Sequence, residues 1–322
     1  MATFTKIFGT GAADHLLGTA LNEIIFGRGG DDELRGGGGL DIILGGGGAD
    51  TLFGDFGNDI LLGGNGDDAL HGGDGDDKLI AGAGDDIMSG GGGNDQMEGG
   101  AGSDTYVIST AAPTDDIITD IGRVDDVDKV QLGGFFSIDQ LLHGIDLELS
   151  GDDLIVTYHN DTGQTGTLTL IDQLTGGGIE EIEIATGQST SMTFHIAFIE
   201  GDKHTYSVHG GADKGGEDIV LGTTGDDEIY AGLGSNIVLG GGGADIFIFE
   251  TEGAGNIRND IILDFDPTDD ILDFTRTSVT GIDSFVLSET AAGNALISLG
   301  LGTIELAGVS IAQVTADIFE FA

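Results

Sequence analysis

The sequence predicts an all-β fold, a right-handed parallel β-roll built from nonapeptide repeats. Nonamers tile the chain in one register from Gly9 to Val107, eleven in all, and four more run from Asp213 to Ile248. Glycine recurs at positions 1, 2 and 4, and position 8 is apolar or aromatic in all fifteen. One nonamer cannot bury its single apolar residue, so such repeats gain a core only by stacking as coils of a solenoid.

Each nonamer predicts a turn followed by a short strand. In GGNGDDALH (Gly63–His71), the glycines of positions 1 to 6 allow positive φ and a close approach of the backbone. Positions 7 to 9 form the strand, so Leu70 at position 8 points inward and its two neighbours point outward. Two nonamers complete one coil, and the position-8 residues of stacked coils form a thin continuous core.

Position 6 supplies the candidate metal ligands, because it is acidic in every repeat except one. These residues are Asp14, Glu23, Asp32, Asp41, Asp50, Asp59, Asp68, Asp77, Asp86, Asp95 and Asp104 in the first block, and Asp218, Asp227, Asn236 and Asp245 in the second. Carboxylates together with the carbonyls of a glycine-rich turn are the ligands that Ca²⁺ takes. Asn236 lacks the charge, and the repeat of Glu23 lacks glycine at positions 2 and 4, so both predict weaker sites.

The pattern G-G-x-G-x-D-x-U-x in these repeats resembles the nonapeptide of the RTX family, the haemolysin-type calcium-binding repeats. The resemblance implies Ca²⁺ as the cofactor, with each ion between the turns of repeats i and i+2 and up to about eleven ions in total. The formal net charge of −47 agrees with a need for bound cations. We therefore expect folding of the chain to be coupled to calcium binding.

Composition excludes several kinds of partner and site. Only 10 Lys and Arg residues face 57 Asp and Glu residues, so no basic patch for nucleic acid is expected. The chain has no cysteine, which excludes disulfides and thiolate sites. No stretch approaches 18 apolar residues, so no membrane span is expected.

Four segments are expected along the chain. They are a first RTX roll at 1–108, a β-rich insert at 109–212 that continues or caps the roll, a second short roll at 213–249, and a C-terminal β region at 250–322. The last segment, with NDIILDF and DDILDF, resembles the C-terminal region of RTX exoproteins, which carries an uncleaved type I secretion signal. No signal peptide is evident at the N-terminus. The type I secretion apparatus is thus an expected partner, and the expected location is extracellular or at the cell surface.

No catalytic motif is evident in the sequence, so we predict that the chain is not an enzyme. The favoured hypothesis is a secreted calcium-binding β-roll that acts as a structural, matrix or interaction protein. The alternative is an accessory or residual part of an RTX exoenzyme, a hydrolase or a polysaccharide-modifying enzyme, with a cryptic site in 108–212.

An apolar stripe is predicted on the face of the roll formed by the even-numbered repeats. Positions 7 and 9 of these repeats are outward-facing, and they include Ile42, Leu44, Ile60 and Leu62. Soluble monomers rarely leave such a patch bare. Either another part of the chain covers the stripe or a second molecule does, and the second alternative predicts a homo-oligomer or fibre.

Overall fold

The computed structural model describes residues 4–109, 114–120, 127–135, 145–150, 153–159, 164–171, 181–186, 190–198, 205–207, 217–222, 225–230, 235–250, 259–299 and 302–321. The chain divides into two compact units, Met1–Met192 and Thr193–Ala322. Nearly all regular structure in the described residues is β-strand. Among these residues, no helix is long and apolar enough to span a bilayer.

Eighteen strands form the described part of the first unit, before a strand that crosses the unit boundary. They are β1 (Thr5–Phe8), β2 (His15–Leu17), β3 (Glu23–Phe26), β4 (Glu33–Gly38), β5 (Ile42–Gly47), β6 (Thr51–Phe56), β7 (Ile60–Asn65), β8 (Ala69–Asp74), β9 (Lys78–Ala83), β10 (Ile87–Gly92), β11 (Gln96–Ala101), β12 (Thr105–Ser109), β13 (Asp115–Thr119), β14 (Lys129–Phe135), β15 (Ile145–Ser150), β16 (Asp153–His159), β17 (Thr165–Ile171) and β18 (Glu181–Thr186).

Alternate strands of this unit build two sheets. One has the order β1-β3-β5-β7-β9-β11-β13-β17-β16-β15, and the other runs β2-β4-β6-β8-β10-β12-β14-β18. Pairing is parallel with a step of two repeats, so that Leu52 lies beside Leu34 and Leu70 in the second sheet. The position-8 side chains of β3 to β12 are at most 2% exposed. The predicted parallel β-roll, with position 8 inside, is confirmed.

The strands are longer than the three residues predicted. From β4 to β11 each covers six residues, positions 7 to 9 of one nonamer and positions 1 to 3 of the next. The prediction that positions 1 to 3 belong to the turn was wrong. Backbone hydrogen bonds continue across these positions, as from the Gly27 N–H to the Leu44 carbonyl at 2.8 Å, because glycine lets neighbouring coils stay in register.

Residues after the first repeat block continue both sheets. Strands β13 and β14 pair in parallel with β11 and β12, and β17 and β18 extend them by one more coil. Strands β15 and β16 then join β17 in antiparallel pairing. Alternating apolar and polar residues in the sequence predict strands at Lys129–Leu132, Leu154–Tyr158 and Thr167–Ile171, and these lie within β14, β16 and β17.

The second unit repeats this plan on a smaller scale. Its strands are β19 (Thr190–Phe198), β20 (Thr205–Ser207), β21 (Glu217–Leu221), β22 (Glu228–Tyr230), β23 (Ile237–Leu239), β24 (Ile246–Glu250), β25 (Asn259–Ile262), β26 (Ile271–Arg276), β27 (Val286–Glu289), β28 (Ala295–Leu299), β29 (Gly302–Leu306) and β30 (Phe319–Glu320), with 3-10 helices at Ile282–Ser284, Ile311–Gln313 and Ala316–Ile318. One sheet has the order β19-β21-β23-β25-β29-β28-β27, and the other has β20-β22-β24-β26-β30.

Aromatic packing distinguishes the core of the second unit from the aliphatic core of the roll. Phe274 lies 5.0 Å from Phe285 between ring centroids, and Phe285 lies 5.2 Å from Phe319. All three side chains are buried. The C-terminal region is therefore built into the hydrophobic core of its unit, with β30 pairing in parallel with β26.

Candidate metal sites of the repeat blocks

The position-6 carboxylates form two continuous ladders in the first roll, one from the odd-numbered repeats and one from the even-numbered repeats. The backbone N–H of each donates to Oδ1 of the position-6 aspartate two repeats later, as from Asp59 to Asp77 at 2.7 Å. The same bond runs from the N–H of Asp14, Glu23, Asp32, Asp41, Asp50, Asp68, Asp77 and Asp86. Stacking of the coils thus places the acids of alternate repeats one above another.

The second carboxylate oxygen, Oδ2, is buried in nine of these residues and accepts no hydrogen bond. The nine are Asp32, Asp41, Asp50, Asp59, Asp68, Asp77, Asp86, Asp95 and Asp104. Each side chain is at most 3% exposed. An ionised carboxylate taken out of water without a partner costs several kcal/mol, which opposes folding unless a cation or a proton neutralises it.

The first two repeats satisfy their acids differently. The hydroxyl of Thr10 donates to Asp14 Oδ2 at 2.9 Å, and that of Thr19 donates to Glu23 Oε1 at 2.9 Å. The backbone N–H of each threonine adds a second bond to the same carboxylate. Because threonine stands at position 2 in these repeats, their carboxylates have local donors that the later repeats lack.

The turns bring backbone oxygens close to the ladder. Glycines at positions 2 and 4 have positive φ, as at Gly64 (126°) and Gly66 (117°). A Cβ at Gly66 would overlap the carbonyl of Gly48, the position-4 residue one coil earlier. Buried carboxylate oxygens beside tightly stacked glycine carbonyls are hard oxygen donors, so the residues present fit calcium.

The RTX calcium-binding nonapeptide repeat model matches this region. It matches in overlapping segments at residues 8–43, 17–52, 35–70, 44–79 and 71–106, and again at 214–247. The two blocks are RTX calcium-binding nonapeptide repeats. The family resemblance expected from the sequence is confirmed, and calcium binding is what these repeats imply.

Other comparisons add little beyond the repeats. A solved structure described as the extracellular lipase LipA from Serratia marcescens is similar at 17% identity with a TM-score of 0.28. The match covers 83% of this chain and 40% of the lipase chain, so the chain spans less than half of that protein's length. No curated protein matches the chain.

The second RTX block has a shorter ladder. Asp227 donates its N–H to Asp245 Oδ1 at 3.0 Å, and both side chains are buried. Asn236 donates both its backbone N–H and its side-chain amide to Asp260 Oδ1, at 3.1 and 3.0 Å. The side chain of Asp218 lies outside the described residues.

Burial changes the acidity of the ladder. Desolvation raises the pKa of Asp77 and Asp86 to about 7, and neighbouring aspartates add to the shift. For Asp104, burial again comes first among the causes and raises the pKa to about 8, with further contributions from Asp86, Asp120 and Asp128. Backbone hydrogen bonds to these carboxylates lower the pKa but do not offset burial. Protons and calcium therefore compete for the same oxygens.

Position 5 carries a further set of ladder hydrogen bonds that the repeat pattern did not predict. Here the N–H of one repeat donates to the side-chain Oδ1 of the repeat one coil earlier, as from Asp85 to Asp67 at 3.1 Å and from Asn94 to Asp76 at 3.0 Å. The direction is opposite to that of the position-6 ladder, and these side chains are exposed. Frequent Asp and Asn at position 5 was the available signal.

Acids beyond the nonamers also continue the position-6 ladder. Asp95 donates its N–H to Asp116 Oδ1 at 2.9 Å, and Asp104 donates to Asp128 Oδ1 at 2.7 Å. In the second unit, Asp245 donates to Asp270 Oδ1 at 2.9 Å. Each acceptor stands two residues before a buried apolar residue, as position 6 does. An aspartate followed two residues later by an apolar residue could therefore have indicated these acids, although the rest of the nonamer pattern is missing.

Proposed function

We propose that this protein is an extracellular calcium-binding β-roll that folds when it binds calcium and acts as a structural, matrix or interaction protein. The proposal assigns no catalytic step to the chain, since the sequence contains no recognised catalytic motif. Such a protein would present a long repeat surface that becomes rigid only when calcium is bound.

The observation that carries the proposal is the row of nine buried carboxylates with an oxygen that accepts no hydrogen bond. The ion pairs formed by Arg35 reach Glu33 and Asp55, outside this row. Extracellular fluid commonly provides calcium at millimolar levels that sites of about 10⁻⁴–10⁻³ M can use, whereas such weak sites stay empty in a calcium-poor cytosol. Calcium would then act as the signal that separates an unfolded chain from a folded roll.

Export by a type I apparatus forms part of the proposal. The C-terminal motifs that resemble a secretion signal are NDIILDF and DDILDF, which include β25 and most of β26, and the terminal DIFEFA, which includes β30. They contribute to the aromatic core of the second unit. In the folded state, Phe274 and Phe319 are buried, so these segments are accessible to a transporter only before the unit folds. This arrangement fits a chain that is exported unfolded and folds outside.

Deletion of Asp264–Ala322 should retain the protein inside the producing cell. The reason is that the deletion removes the proposed signal, and the measurement is immunoblotting of medium and cell fractions. The matched control is Phe285→Ser, which damages the same core but leaves the motifs DDILDF and DIFEFA in place. This variant should still be exported, although less stable outside. Equal export of the deletion and the wild type would contradict a C-terminal signal. Retention of Phe285→Ser as well would show that export needs an intact core of the second unit, and would contradict export of an unfolded chain.

Self-association is the second part of the proposal. Ile42 and Ile60 lie side by side in neighbouring strands, as do Leu44 and Leu62, so the predicted stripe is in register across β5 and β7. All four side chains are half-buried. Light scattering should show an expanded monomer in chelator, and a folded homo-oligomer or fibre in millimolar calcium, since bound calcium reduces repulsion between chains of charge −47.

Replacing these four residues with threonine tests the stripe directly. If copies meet through it, the variant folds with calcium and remains monomeric. A control that replaces Thr51 and Ala69 on the opposite sheet with serine should assemble like the wild type. A wild-type protein that stays monomeric in millimolar calcium at high concentration would overturn the assembly proposal while leaving calcium-dependent folding intact.

A further inference from the structure

The end of the first RTX block differs from its interior. In the interior, the N–H of a position-1 glycine donates to the position-9 carbonyl one coil later, as from Gly18 to Arg35 at 2.7 Å. At the last repeat, the Gly99 N–H instead donates to the hydroxyl of Tyr106 at 2.8 Å. Tyr106 occupies position 8 and is fully buried, so its hydroxyl lies inside the roll.

Asp120 is the hydrogen-bond acceptor of this tyrosine. The Tyr106 hydroxyl donates to Asp120 Oδ2 at 2.5 Å. Asp120 follows Asp116 by four residues, which is the separation between position 6 of one nonamer and position 1 of the next. Asp120 therefore stands at the equivalent of position 1, where most repeats have glycine. A side chain at position 1 would contact the position-6 carboxylate of the same repeat, as a Cβ at Gly63 would contact Oδ2 of Asp68.

Three carboxylates converge at this point. One oxygen each from Asp104, Asp120 and Asp128 lies within 4.8 Å of the others, and all three residues are at most 3% exposed. Oδ2 of Asp104 accepts no hydrogen bond. It faces the position of Gly99, where a Cβ would overlap both this oxygen and the Tyr106 hydroxyl. Three buried like charges at this separation cannot all be ionised without a cation between them.

We propose that Asp104, Asp120 and Asp128 form a terminal cation site for calcium at the last step of the position-6 ladder, with Asp120 as an additional acid that the steps between intact nonamers lack. Two of its three acids lie outside the repeats, so it would tie the first RTX block to the strands that follow it. The oxygen-only ligand set favours a hard divalent cation over a transition metal. The inference rests on the calcium loading proposed above.

The second RTX block ends in a related way but satisfies its acid without a metal. Asp264 follows Asp260 by four residues and accepts the N–H groups of Gly240 and Gly241, each at 2.8 Å. Position 8 of that last repeat is Phe247, which has no hydroxyl. Asp264 thus has a backbone donor for each oxygen, and we confine the proposal to the first block.

Terbium in place of calcium tests the site, because tyrosine sensitises the luminescence of a terbium ion only at close range. The full-length wild type, Tyr106→Phe and Asp120→Asn are compared with Asp67→Asn, a control at an exposed position 5 in the middle of the roll. We expect Tyr106→Phe to lose most of the tyrosine-sensitised emission, Asp120→Asn to lose the same part, and Asp67→Asn to retain it. Calcium should displace this terbium.

Equilibrium dialysis against calcium provides the second measurement. Asp120→Asn should bind one calcium ion fewer per chain than the wild type. If Asp120→Asn does not fold, Tyr106→Phe still decides, since full emission from that variant would overturn the site. Wild-type calcium binding with unchanged emission and stoichiometry in Asp120→Asn would also overturn it. A wild type that binds no calcium would instead overturn the proposed function itself.

Discussion

In excess chelator at pH 8, the chain is expected to lose most of its β-sheet circular dichroism and to regain it cooperatively as calcium is added. The nine buried carboxylates oppose the fold when they are ionised and unneutralised. Their sites lie in two stacks along the same coils, so filling one site orders the coil that its neighbours need. The midpoint should fall at about 10⁻⁴–10⁻³ M calcium. A chain with the same β signal in chelator and in calcium would contradict this expectation.

The pH dependence of this folding has a definite sign. Burial raises the pKa of Asp77 to about 7 and that of Asp104 to about 8 in the roll, above the usual value of 3.8. Between pH 3.8 and these raised values, the folded, calcium-free roll therefore binds more protons than the unfolded chain. The stability that these protons contribute is fully present below the unfolded pKa and is lost as the pH rises through the folded pKa.

Acid should consequently replace part of the calcium requirement. In chelator, the β signal should increase as the pH is lowered from 8 to 5, while the apparent calcium affinity falls about tenfold per pH unit for each proton displaced. Circular dichroism titrations with calcium at pH 8, 7 and 6 measure both effects. The opposite trend, with affinity unchanged or rising in acid, would show that the ladder does not bind the calcium.

Gly57→Ala should destabilise the first roll by about 2–5 kcal/mol. Gly57 stands at position 4 with φ of 130°, where an L side chain is strained, and its new Cβ would overlap the carbonyl of Gly39 one coil earlier. The backbone atoms of neighbouring coils cannot both move apart without breaking the ladders on either side. Thermal unfolding in saturating calcium measures the loss, together with a higher calcium midpoint.

Gly47→Ala is the matched control for this substitution. Gly47 stands at position 3 of a neighbouring repeat, and a Cβ there would meet nothing within 4 Å. The change should alter stability by no more than about 0.5 kcal/mol. Equal effects of the two substitutions would mean that general loss of backbone freedom, and not close approach of the coils, determines the need for glycine.

Much of the fold and part of the site could be predicted from the sequence because the repeat is so regular. Because each nine-residue repeat has one inward apolar position, residues such as Leu61 and Leu70 can be buried only when the coils stack. The same regularity located the acids from Asp32 to Asp104, which the structure brings into two ladders of alternate repeats. The predicted length of the strands was wrong, because glycine is typical of turns but also permits the extended backbone of β7.

The structure was also needed to show that the acids of the first two repeats are hydrogen-bonded differently from the others. Asp14 and Glu23 occupy position 6 like the rest, yet Thr10 and Thr19 donate hydroxyl hydrogen bonds to them. The pattern of acids does not distinguish Asp14 from the later repeats, and for Glu23 the missing glycines predicted only a weaker site. The difference arises from position 2, whose side chain reaches the carboxylate only because the turn folds back over it.

By itself the sequence determined the solenoid, its inward-facing apolar positions, the acidic position 6 and the RTX character of both blocks. Only the tertiary structure showed that Asp116 and Asp128 continue the ladder at separations of 21 and 24 residues in place of 18, and that Asp120 joins Asp104 and Asp128. Regular spacing makes ladder neighbours readable from the sequence. Beyond the repeats, loops absorb the extra residues, and strand pairing, not sequence distance, decides which carboxylates meet.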